Sequence, residues 1–106
     1  MGEETKQAAE RKEKVEQARE EYERIKELAE EEYQRTEKAA WEKYDRILDS
    51  AWEEYDWEEF DRIDKPAWRE YLRIESSACE EYERTLRSAM EECERIEKLS
   101  QDGNHF

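Results

Sequence analysis

The sequence predicts an all-α fold: long amphipathic helices on an eleven-residue repeat, arranged as a helical hairpin or a kinked rod and associating as a coiled-coil bundle. Three observations carry this. Residues of one type recur at steps of 11, as in Tyr22, Tyr33, Tyr44 and Tyr55. Charged residues make up 49% of the 106 residues and hydrophobic ones only 35%, too few apolar side chains for a compact globule. There are two glycines and one proline, so turns are scarce. High charge alone suits disorder equally well; the period decides for helix.

The stretch 1–19 is read as a charged helical extension. Ala8, Val15 and Ala18 continue a sparse stripe without any aromatic, so this part frays unless a partner covers it. The hendecad domain then spans 20–100, and 101–106 is a tail. After a discontinuity the tyrosine series resumes as Phe60, Tyr71, Tyr82 and Cys93. Three residues on stand Ile25, Thr36, Ile47, Ile63, Ile74, Thr85 and Ile96. Seven on stand alanines from Ala29 to Ala89, and eight on come Trp41, Trp52, Trp68, Cys79 or Met90. Eleven residues close three turns at about 3.67 residues per turn. Offsets 0, 3, 7 and 8 from each tyrosine therefore share one arc of roughly 130°, an amphipathic stripe. On the far side Arg24, Arg35, Arg46, Arg62, Arg73, Arg84 and Arg95 hold one repeat position. Most follow a glutamate by four residues, the favourable orientation for an intrahelical pair.

The phrase Trp-Glu-Glu-aromatic-Asp occurs twice, at Trp52 and again five residues later at Trp57. A five-residue jump turns the stripe by about 130–140° at roughly 100° per residue. Pro66 follows, and proline inside a helix costs about 3 kcal/mol. Asp64 is placed to cap a new helix, with Pro66 in its first turn and Ile63 and Trp68 as a hydrophobic staple. The expectation is two helices, 4–62 and 65–100, with a turn or sharp kink near 63–66. Ser50, Ser77 and Ser88 resemble capping boxes, but they recur at one repeat position and read as tolerated helical serines.

Chemistry is sparse. The one histidine, His105, lies in the tail, which leaves no triad or two-histidine zinc motif. No glycine-rich phosphate loop exists, and the 33 acids sit at helical spacing without a distinguishable acid–base pair. No enzyme, no cofactor and no metal is expected. Cys79 and Cys93 are about 21 Å apart along one helix, beyond disulfide reach, and read as small seam residues. A net charge of −14 argues against direct nucleic-acid or anionic-membrane binding and permits a basic protein partner. No apolar run reaches the roughly 20 residues of a membrane span, and a signal-peptide core is lacking, so a cytoplasmic location is expected.

The aromatics are the concentrated signal, read either as helix–helix core or as a partner surface. The candidate partner-binding residues are Trp52, Tyr55, Trp57, Phe60, Trp68, Arg69 and Tyr71. Trp57 is the best exposed anchor, because in the register of Tyr55 it takes the arginine position. Arg69 breaks the glutamate rule before Arg73 and leaves a positive spot beside Trp68. A stripe this narrow buries little on an isolated hairpin, so a homo-oligomer is expected. The reading is a non-enzymatic helical interaction or structural protein. The alternative is a small acidic inhibitor of the phage anti-defence kind, which blocks a basic nucleic-acid-binding groove by charge mimicry.

The units Ala51-Trp52-Glu53-Glu54-Tyr55 and Pro66-Ala67-Trp68-Arg69-Glu70-Tyr71-Leu72-Arg73-Ile74 resemble tandem eleven-residue repeats of the Pro-Ala-x-x-Glu-Tyr-x-x-Ile kind. Such repeats occur in uncharacterised phage and prokaryotic proteins. The resemblance covers roughly residues 18–97 and implies helix and a phage or bacterial origin. The five-residue insertion and the rarity of proline depart from a uniform array.

Overall fold

The computed structural model describes residues 2–54 and 56–102; Met1, Tyr55 and 103–106 lie outside the described residues. Two helices account for nearly all of them: α1, Gly2–Glu54, and α2, Trp57–Asp102. They form an antiparallel helical hairpin, and no strand occurs among the described residues. None of the described helices is long and apolar enough to cross a membrane.

The chain reverses eight residues earlier than expected, with α2 beginning at Trp57 and not at 65. Asp56, rather than Asp64, caps α2: its Oδ1 accepts the Glu59 N–H at 3.0 Å, and its carbonyl accepts the Phe60 N–H at 2.8 Å. Glu58 and Glu59 then sit in the first turn, where the amide ends of the helix favour negative charge. The phase jump thus falls where the chain reverses, and no continuous helix has to absorb it. Pro66 lies inside α2. Its side chain is exposed, so the ring stands clear of the helix–helix seam. Asp64 instead reaches across to α1, and Trp68 is no staple. At the other end α2 runs on to Asp102, past the helix end expected near Leu99.

The chain divides into two compact units, Met1–Ala29 with Glu83–Phe106, and Glu30–Tyr82. In the first unit the charged extension is covered by the chain's own C-terminal stretch. Ala18 is buried, Arg11 and Val15 are half-buried, and Arg19 Nε donates to Glu97 Oε1 at 2.8 Å. Cys93 is half-buried there, and burial pushes its thiol pKa up.

Within the Glu30–Tyr82 unit the covered stripe differs from the expected one. Offsets 0, 3, 4 and 7 are buried or half-buried, as in Tyr44, Ile47, Leu48 and Ala51, or Tyr71, Ile74, Glu75 and Ala78. The offset-8 residues Trp41, Trp52 and Trp68 are exposed. At about 98° per residue, offsets 3 and 8 lie about 65° to either side of offset 0. Two helices touching along one line cover only one of those flanks. Alanine at offset 7 sets a close approach (Ala51 is 1% exposed), and indoles forced into that seam would wedge the helices apart.

The arginine ladder also differs. Arg24, Arg62, Arg73 and Arg95 pair with the glutamates three residues before them, Glu21, Glu59, Glu70 and Glu92, not four. In the Arg24, Arg73 and Arg95 pairs the guanidinium holds its carboxylate below the usual range.

Candidate interaction surface

The surface is built on the Glu30–Tyr82 unit, where α1 and α2 run in opposite directions. Trp41 faces Tyr71 and Tyr44 faces Trp68, one step forward on α1 for each step back on α2. An antiparallel pair of this kind is related by a half-turn about an axis normal to the plane of the helices. Residues at the same repeat offset on the two helices therefore emerge on the same face. For offset 8 this brings Trp41 and Trp52 of α1 and Trp68 of α2 onto one face.

Two ring clusters result. In the first, Trp41 and Trp68 flank a pair of tyrosines. Trp41 meets Tyr71 edge-on at 5.6 Å, Trp68 stacks on Tyr71 at 5.3 Å, and Tyr44 and Tyr71 lie 6.0 Å apart. Tyr71 is buried and forms the floor. On the same flank, one turn before Trp68, Asp64 Oδ1 accepts the hydroxyl proton of Tyr44 at 2.6 Å. That bond, then burial, pushes the Tyr44 pKa up to about 12. Burial raises the Tyr71 and Tyr33 hydroxyls as well, and Tyr33 rests against Tyr82 at 5.7 Å. The Tyr82 hydroxyl donates to Glu30 Oε1 at 3.2 Å, Glu30 standing where the next repeats carry tryptophan.

The second cluster sits at the chain reversal. Trp52, Trp57 and Phe60 meet pairwise edge-on at 5.2, 5.4 and 6.0 Å. Such pairs are favoured by the ring quadrupoles. Phe60 is half-buried beneath the two indoles, and Trp57 is the most exposed large apolar residue described.

Six of the seven sequence candidates fall in these clusters or beside them; Tyr55 lies outside the described residues. Trp52, Trp57 and Phe60 come together, as do Trp68 and Tyr71, but Tyr71 supplies a floor and not a contact surface. Arg69 is exposed and makes no ion pair among the described residues, whereas Arg73 is paired through Glu70. The candidates omitted Trp41, Tyr44 and Leu72. Trp41 shares the repeat position of Trp52, which is the signal that finds it; Leu72 is exposed next to Tyr71.

Offsets 1, 4 and 5 border offset 8 on a hendecad helix, so the face is framed by Glu37, Lys38, Asp45 and Asp49 on α1 and Asp61, Asp64, Lys65 and Leu72 on α2. Lys65 Nζ pairs with Asp61 Oδ2 at 3.0 Å. Two lysines thus stand among five acids here, an acidic frame in keeping with a chain of 33 acids and 19 bases. Glu75 is half-buried on this flank as well, while the opposite flank carries a shallow groove of 460 Å³ beside Lys43, Arg46, Ile47 and Ile63. Among the described residues no three His, Cys, Asp or Glu side chains converge as metal ligands would. No family model, no curated protein and no solved structure matches the chain.

Proposed function

We propose that the protein is a non-enzymatic helical interaction protein whose tryptophan face on the Glu30–Tyr82 unit docks another protein. One observation carries the reading. Among the described residues, every large apolar side chain left exposed in that unit, Trp41, Trp52, Trp57, Trp68 and Leu72, falls by its repeat position on one side of the helix pair. Scattered exposed apolar residues are ordinary, whereas a contiguous aromatic face rimmed by polar groups marks an interface. Tryptophan is also the residue type that dominates binding energy at such surfaces. The test is affinity capture with the native chain and with a Trp52→Ala/Trp57→Ala variant, matched for helicity by far-UV circular dichroism. The reading expects a retained protein, which can be a differently tagged copy of the chain itself, that the variant releases. Equal retention by both chains overturns it.

A second reading rests on the charge excess, 33 acids against 19 bases. An acidic inhibitor of the kind phages use would offer its acidic faces to a basic nucleic-acid-binding groove. Capture would then be indifferent to the tryptophans and lost on adding salt.

A further inference from the structure

We infer that the occupant of the tryptophan face is a second copy of this chain, docked face to face to give a four-helix bundle; this rests on the face being a protein-docking surface. Three observations select a copy. First, the described structure holds no large side chain that is fully buried; its buried residues are four alanines and Tyr71. Two helices enclose no core, and a second layer is what completes one. Secondly, the area suffices. Trp41, Trp52, Trp57 and Trp68 are 49, 62, 72 and 40% exposed. At roughly 250 Å² per tryptophan this leaves on the order of 500 Å² of ring surface. With its polar rim the face approaches the roughly 800 Å² per partner of a stable interface.

Thirdly, the half-turn that exchanges Trp41 with Trp68 makes the centre of the face look alike from either end, which suits the isologous contact of a two-fold dimer. The net charge of −14 opposes such a dimer, so the rings supply the attraction, and Lys38 and Lys65 temper the repulsion of the acids around them.

The experiment is sedimentation of the full chain across a wide concentration range, with Trp57→Ala and with Lys65→Glu, each checked for native helicity. The dimer is expected in the native chain. Trp57→Ala should raise its Kd about 30-fold or more, the loss typical of one hot-spot tryptophan. Lys65→Glu, which leaves every ring in place, should raise it as well. Added salt should lower the Kd, because it screens the repulsion between two acidic chains. A native chain that stays monomeric overturns the inference. So does a dimer indifferent to both substitutions, which uses another face, or one that weakens with salt, which is held by charge pairs. A monomer that still captures a different protein through Trp52 and Trp57 overturns the copy and leaves the docking function standing.

Discussion

Tyr44 links the two helices of the Glu30–Tyr82 unit by a hydrogen bond to a half-buried carboxylate, Asp64, at 2.6 Å. Because the neutral phenol donates to that carboxylate, folding raises the Tyr44 pKa from 10.0 to about 12. A group raised on folding contributes stability that is fully present below its unfolded pKa and is lost as pH rises through the folded one. The chain should therefore hold its stability up to about pH 10 and lose the Tyr44 share between about 10 and 12. Tyr44→Phe should cost about 1.5–3 kcal/mol near neutral pH, the range for a hydrogen bond to a charged group. It should also flatten the alkaline decline without abolishing it, since Tyr33 and Tyr71 are raised as well. Urea midpoints of both chains from neutral pH to pH 12 check this; parallel declines would remove the bond from the account.

At the scale of the helix, Asp56 and Pro66 make opposite predictions. Asp56→Ala removes the side chain that accepts the Glu59 N–H and should destabilise by about 1 kcal/mol, the usual worth of an N-cap. Pro66→Ala restores an amide to the interior of α2 and should stabilise, by up to about 3 kcal/mol. Were Pro66 in a first turn, the same substitution would be neutral or harmful, so a thermal melt of the two variants distinguishes the boundaries. The melt also bears on what the residues alone could convey. Period and stripe are local properties of one helix, and Tyr22 to Cys93 display them openly. The helix boundary was not so legible, because Asp56-Trp57-Glu58-Glu59 and Asp64-Lys65-Pro66 both carry helix-start chemistry, and the proline drew the weight. Ring partners follow from that boundary. A reversal near 63–66 would set Tyr44 opposite residues far beyond Trp68, so the cluster of Trp41, Tyr44, Trp68 and Tyr71 could be found only once the turn was placed. Which flank of the stripe stays open was likewise beyond one helix's pattern, since it depends on how closely two alanine seams meet.

For the whole molecule the governing quantity is the surplus of acid. Of 33 acids and 19 bases, the pairs seen on the helices are exposed ones such as Arg73–Glu70 at 2.7 Å and Lys65–Asp61 at 3.0 Å. Exposed pairs of this kind contribute little and are weakened by salt. The uncompensated charge of −14 acts in the other direction, because folding brings like charges of α1 and α2 together. Salt shortens the screening length from about 30 Å at 0.01 M to about 8 Å at 0.15 M, so the repulsion between helices fades with it. The two effects oppose each other, and the surplus decides the sign. The melting temperature of the chain, held dilute enough to remain unassociated, should rise as sodium chloride is added. Removing acid should mimic the salt: Glu37→Gln or Glu75→Gln, both half-buried, should raise the melting temperature at low salt and lose that advantage at high salt. A melting temperature that falls with salt would mean that the local arginine–glutamate pairs outweigh the net charge, and that the acidic surface stabilises the hairpin instead of straining it.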